Sequence, residues 1–277
     1  MPPEGIDNVK KASGELEEFD AEKLRSSLLR AGTPPPTAER VLRRLRPQLQ
    51  SGIETRSIHE GVHALLLEEG RPWADRYALK RAILDLGPSG FPFEKYVASL
   101  LKRAGFECAM NRTIEGKCVS HEVDIVATSE AESAWIECKF HNTLGMKSDV
   151  KVALYCFARF LDLRAGPQGD AGRTFRVITN TKFTSDAIQY ATCAGLRLTG
   201  WNYPAERPLQ AWIEESGLYP LTCLSSLKPG QKRRLLERGV ALVSEIINSP
   251  ARLRGLGLNP AQISVVLAEA ETLAGAP

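Results

Sequence analysis

Apolar and polar positions alternate in two short stretches near the middle of the chain, 123–127 and 134–138, with a polar turn between them. Successive side chains on a strand point to opposite faces. Val123 and Ile125 are therefore predicted to share one face, with Asp124 and Val126 on the other. In the second stretch Trp135, Glu137 and Lys139 share a face, and Ile136 and Cys138 take the opposite one. On either side the apolar spacing becomes helical. Residues 91–105 place Phe93, Val97, Leu100 and Leu101 on one side, and residues 150–163 do the same with Val150, Ala153, Leu154, Phe157, Phe160 and Leu161. Residues 173–179 and 196–201 read as further strands around a helix at 184–194. This alternation predicts an α/β layer, a mixed sheet with helices on both faces.

The flanks are mostly helical. Ser13-Gly14 between 9–11 and 16–19 signals a small hairpin. Four helices are expected after it: one capped by Asp20, one from Thr37, one capped by Ser57 with Glu60 completing the cap, and one over 73–86. Gly87-Pro88-Ser89-Gly90 is the clearest break, and Pro204 with Pro208 marks a second linker. Beyond it a helix is expected over 232–248, then a Gly255-Leu256-Gly257 turn and a last helix opened by Asn259-Pro260. The chain thus divides into 1–86, 87–205 and 206–277: hairpin plus four helices, central mixed sheet, and helical segment, α/β overall.

Composition changes this picture little. The 277 residues are enough for two or three domains, and a net charge of +3 requires any basic surface to be local. No apolar run has membrane-spanning length, and six scattered cysteines form no CxxC pair. A cytoplasmic protein with reduced thiols is expected, without a membrane partner.

Chemistry changes it more. Asp124, Glu137 and Lys139 are charged residues inside half-buried strands, where charge is costly unless paired or bound to metal. A hairpin bringing the two carboxylates together, with the lysine beside them, suits a hard cation such as Mg²⁺. Such a group is equipped to hydrolyse a phosphodiester.

The pattern D-x(12)-E-x-K, carried as Ile136-Glu137-Cys138-Lys139 on the second strand, resembles the PD-(D/E)xK nuclease superfamily in its Mrr-like form. The resemblance implies a restriction-endonuclease-like fold, with Asp124 and Glu137 holding Mg²⁺ and Lys139 assisting the attacking water. It also implies that Glu94, on the preceding helix, adds a ligand; an exposed first-turn glutamate favoured by the helix dipole fits that position as well. His141 and Asn142 follow the second strand where phosphates would lie.

Residues 8–84 resemble the ATP-cone, the regulatory module of ribonucleotide reductases and some repressors, through V-K-K-x-x-G, F-D-A-E-K-L, I-E-T-R-S-I-H and Y-A-L-K-R. That resemblance implies ATP or dATP as an effector, contacted by Val9, Lys11, Lys23, Thr55 and His59. Ala12-Ser13 departs from the family's basic residue followed by Asp. The helix, G-L-G turn, helix arrangement resembles a helix-hairpin-helix. It implies backbone contacts to DNA at Gly255 and Gly257, supported by Lys232, Arg233 and Arg234; packing or dimerisation would account for the same pattern, and a homo-oligomer is compatible with it. The expectation is a Mg²⁺-dependent DNA endonuclease controlled by ATP or dATP. The alternatives are a nucleotide-responsive DNA-binding regulator with an inactive nuclease fold and, behind it, an RNA nuclease.

Overall fold

The computed structural model describes residues 8–10, 14–87, 89–143, 145–169 and 173–275. Its centre is a five-stranded sheet of order β3-β4-β5-β7-β9, formed by β3 (Glu107–Glu115), β4 (Ser120–Thr128), β5 (Ser133–Lys139), β7 (Thr174–Thr179) and β9 (Arg197–Thr199). The first three strands are antiparallel neighbours; β5, β7 and β9 run parallel. Parallel pairs need crossovers, supplied here by α7 (Val150–Arg164) and α8 (Ser185–Ala194). One sheet face packs with these helices through Trp135, Phe160, Phe175 and Val177. The other packs on α6 (Phe91–Arg103) through Ile125, Ile136, Phe93 and Leu100. The mixed sheet between helical layers is the predicted fold.

The alternation fails at one place. Val123 and Ile125 lie in opposite core layers, Val123 with Trp135 and Phe160, Ile125 with Ile136. The β3–β4 hairpin turns over between them, where Asn111 has φ 49° across from Asp124. Asparagine tolerates that left-handed conformation better than most residues. The end of the hairpin then folds onto α7, where Asp162 accepts the backbone N–H of Cys118 at 2.8 Å and faces His121 Nε2 at 2.9 Å. β3 itself had no sequence expectation, because its exposed face interrupts the apolar pattern.

The N-terminal unit is a hairpin, β1 (Asn8–Lys10) with β2 (Leu16–Glu18), followed by α1 (Ala21–Arg30), α2 (Pro35–Leu45), α3 (Thr55–Glu69), α4 (Arg71–Tyr77) and α5 (Leu79–Leu84). Asp20 caps α1 by accepting from Lys23 N at 2.9 Å. The expected helix over 73–86 is instead two, divided at Ala78. α3 begins at Thr55 rather than after Ser57, with no side chain capping it; Glu60 pairs with Arg56 at 2.8 Å.

Residues past 204 are not a linker. α9 (Leu209–Ser216) buries Leu209, Trp212 and Ile213. α10 (Pro229–Glu237) ends two residues before Gly239, whose φ of 77° breaks the expected 232–248 helix, and α11 (Val243–Asn248) starts again. α12 (Pro260–Ala274) closes the chain, its first turn capped by Asn259. This segment shares one core with α5 and α6. Tyr96 of α6 donates to Leu218 O at 2.6 Å, and Thr222 to Ala82 O at 2.6 Å. Two residue pairs outside the main sheet complete the description: β6 (Lys147–Ser148) runs parallel to β8 (Lys182–Phe183). No helix among the described residues is long and apolar enough to cross a membrane.

Candidate active site

The pairing of β4 with β5 runs from Thr128↔Ser133 to Ile125↔Ile136 and stops one position short of Asp124 and Glu137. Where the backbone ladder opens, the Asp124 carboxylate takes its place: Oδ2 accepts the Cys138 N–H at 2.7 Å. β5 remains fastened on its other side, with Glu137 beside Val177 and Lys139 beside Thr179 of β7. One strand edge is therefore splayed while the other is rigid. Asp124, Glu137 and Lys139 meet in that opening.

Glu137 is 5% exposed, so its charge needs company. Oε1 accepts from Lys139 Nζ at 2.6 Å and Oε2 from Arg159 Nη1 at 2.5 Å. Arg159 also donates to Glu122 O, tying α7 to β4. Burial would lower the Lys139 pKa, but the Glu137 carboxylate outweighs it and keeps the ammonium charged. Asp124 is the opposite case. Burial, then the Glu137 charge and more weakly Glu94, push its pKa up to about 7 despite the Cys138 hydrogen bond. Glu94 is on the first turn of α6, and Asn111 donates to its Oε2 at 3.2 Å. Three carboxylates thus face one another electrostatically with a single lysine among them.

Tyr155, Arg159 and Asn111 also belong to this neighbourhood and had no sequence expectation. Arg159 lies one helical turn beyond Tyr155, whose exposed ring sits 6.0 Å from Lys139 Nζ and 5.5 Å from the Arg159 guanidinium. An i, i+4 aromatic–arginine pair on the helix after E-x-K is the signal that could have found them. Asn111 is legible only once its backbone conformation is known. His141 lies behind the site: its ring meets Ser148 Oγ at 3.0 Å, and Asn180 clamps its backbone from both sides at 2.8 and 2.7 Å. These bonds tie down the loop leaving β5.

Among the described residues, no three His, Cys, Asp or Glu side chains stand in ready coordination geometry. The donor chemistry nonetheless fits a hard divalent ion. Carboxylate oxygens are its preferred ligands, and the proton held by Asp124 answers the same excess of negative charge that a cation would relieve.

The residues matched to the ATP-cone do not all gather. Lys23, Thr55 and His59 line one cavity of about 870 Å³. Val9 does not join them, being 5% exposed in the core formed by α1, α2 and α3. Lys11 lies outside the described residues. His59 stacks on Tyr77 at 4.5 Å, and burial lowers its pKa to about 4, so its ring is uncharged at neutral pH.

At the C-terminal end, Arg233 and Arg234 are exposed on α10. Lys232 departs from the expected basic patch: its Nζ turns inward to Thr222 O at 2.8 Å, and burial lowers its pKa. Gly255 and Gly257, at φ 77° and 71°, form the turn before α12. The turn carries Leu256 into the core and is braced by Arg238 donating to Arg254 O at 2.9 Å.

A mixed sheet flanked by helices, with Asp, Glu and Lys where its interior strands β4 and β5 part, defines a restriction-endonuclease-like domain, here preceded by an ATP-cone. Comparison with known proteins agrees: "ATP cone domain" matches residues 7–85, "Restriction endonuclease" (the Mrr catalytic type) 87–201, and "AF1548-like, C-terminal" 219–274. An uncharacterized protein of Archaeoglobus fulgidus is 36% identical over 180 residues, 65% of this chain and all of that protein. A crystal structure of a protein of unknown function, AF1548, superimposes with a TM-score of 0.56 at 34% identity, covering 68% of this chain and 99% of its own. The chain belongs to this AF1548-like family.

Proposed function

We propose that the protein is a Mg²⁺-dependent DNA endonuclease whose activity responds to ATP or dATP bound by the cone. The observation that carries the reading is the convergence of Asp124, Glu137 and Lys139 at the opened β4–β5 edge. Asp124 and Glu137, with Glu94 adjacent, would hold the metal. When bound, that ion supplies an activated water and a counter-charge for the phosphate. The chain's own residues do the rest. Lys139, fixed by Glu137 and through its backbone by Thr179 at 2.7 Å, presents an ammonium to orient water and offset charge developing on the phosphate oxygens. Arg159 holds Glu137 from behind, so the carboxylate cannot swing away. Tyr155, exposed at the rim, offers a face on which a base can stack. Arg233, Arg234 and the Gly255–Gly257 turn are the proposed backbone contacts to DNA.

The test is cleavage of supercoiled plasmid with Mg²⁺, with and without ATP, beside Lys139→Ala. Metal-dependent nicking or linearisation by the wild type and not by the variant supports the reading. DNA retardation and ATP binding without cleavage under any condition would favour the nucleotide-responsive regulator.

A further inference from the structure

The cavity holding Lys23, Thr55 and His59 is not confined to the cone. Its opposite wall is the nuclease domain, which contributes Thr181, Lys182 and Lys147. Lys147 and Lys182 are register partners on the parallel β6–β8 pair, and both are exposed. From the cone side Lys80 completes the group. It is half-buried, makes no ion pair among the described residues, and is depressed by burial and then by Lys182 and Lys23. Lys23, Lys80, Lys147 and Lys182 thus bring four ammonium groups from two domains to one space, where with Arg56 and Arg81 they outnumber the carboxylates of Glu15, Glu17 and Glu60. Across it stands the N-terminus of α3, where no side chain caps the free N–H groups. Both features favour an anion. The volume is that of a site for a molecule of nucleotide size.

We infer that the effector nucleotide bridges the two domains, its phosphates held between the α3 N-terminus with Lys80 on the cone and the Lys147–Lys182 pair on the nuclease domain. This rests on the reading that the cone binds ATP or dATP, and assigns the second half of the site to the nuclease domain. Neutral His59, stacked on Tyr77, is left to the nucleoside. The bridge explains how occupancy reaches the active site. Ser148, next to Lys147, hydrogen-bonds His141 at 3.0 Å and Thr179 at 3.4 Å; Thr179 in turn donates to the Lys139 carbonyl at 2.7 Å. A nucleotide pulling on β6 and β8 therefore pulls on the residues that fix Lys139.

The experiment uses the full chain. ATP and adenosine are titrated by calorimetry into the wild type and into a Lys147→Ala/Lys182→Ala variant, and hydrogen exchange is followed in the wild type with and without ATP. Loss of two charge-assisted phosphate contacts is expected to weaken ATP binding by about tenfold or more, with adenosine affinity changed less than about twofold. ATP is also expected to slow exchange at residues 147–148 and 182–183. Undiminished ATP affinity in the variant, or protection confined to residues before 87, would overturn the bridge and leave nucleotide binding by the cone intact. No ATP binding by the wild type would overturn both.

Discussion

Among the described residues, a half-buried aspartate at the active site and a buried one between two helices each stand beside a glutamate, and the two pairs are built for different ends. At the strand edge, burial and Glu137 push Asp124 up to about 7. Between α4 and α12, burial and Glu269 push Asp75 up to about 8. In each pair the glutamate is the satisfied partner. Glu137 is held by Lys139 and Arg159; Glu269 accepts from the backbone of Ser225 at 2.6 Å and Ser226 at 2.9 Å and faces Arg71 at 3.4 Å. A perturbed carboxylate pair is thus no mark of catalysis by itself. The surroundings separate them. Asp124 has a third carboxylate, an ammonium and an exposed aromatic around it, at a place where a strand ladder opens. Asp75 is 1% exposed, its Oδ1 has no partner among the described residues, and it stands where the cone docks on the C-terminal segment. Its pair reads as a joint rather than a site.

Exchanging each aspartate for its amide gives the largest contrast. Asp124→Asn removes a proposed ligand and is expected to lower plasmid cleavage by about a thousandfold or more, within what such sites contribute to rate. Asp75→Asn should cut at close to the wild-type rate. Equal loss in both variants would show that cleavage depends on the general electrostatics of the fold and not on the opened edge.

Arg159→Ala is the intermediate case. Glu137 would remain buried with only Lys139 to balance it, and unmaking one side of a buried pair costs about 3 kcal/mol. Arg159→Lys should recover part of that stability but less of the cleavage, since a lysine cannot hold Glu137 and Glu122 O together as the guanidinium fork does. Denaturant unfolding read beside plasmid cleavage separates the two losses. A variant with wild-type stability and cleavage would remove Arg159 from the site.

How far these features were legible in sequence follows from their range. Glu137 and Lys139 could be placed on one face because strand periodicity is local, and Asp124 could be matched to them through its spacing. The overturning of the hairpin at Asn111 could not, since it depends on a backbone conformation that the apolar pattern does not encode. The same limit hid the Asp75 pair. Asp75 and Glu269 are far apart along the chain, and each taken alone looks like an ordinary helix carboxylate. Lys232 leaves the predicted basic patch for the related reason that its side chain becomes buried only when the Thr222 segment packs over it. Local spacing identified chemistry; which charges are buried together was settled by tertiary packing.

The pH dependence of stability separates the two pairs most sharply. Between pH of about 4 and its folded value, each aspartate keeps a proton in the folded chain that it has lost in the unfolded one. Folding therefore takes up protons across that window, and stability falls as pH rises through it, to about 7 for Asp124 and about 8 for Asp75. At about 1.4 kcal/mol per unit, the full shift corresponds to at most about 4 kcal/mol for Asp124 and about 6 kcal/mol for Asp75. His59, held down to about 4, acts oppositely below pH of about 6.5, so the comparison is made between each wild type and amide variant at the same pH, where its contribution cancels. Without metal, both Asp→Asn variants should gain on the wild type as pH is raised from 5 to 7, and Asp75→Asn should go on gaining to 8. Added Mg²⁺ should change only one of them. An ion held by Asp124 as a carboxylate removes its bound proton, so the wild type should become more stable above neutrality with metal present, and Asp124→Asn should not. The Asp75→Asn difference should be the same with or without Mg²⁺. Thermal unfolding across this pH range, with metal and with chelator, reads both slopes. If Mg²⁺ left the Asp124 slope unchanged, that carboxylate would not be a ligand, and the two pairs would be alike after all.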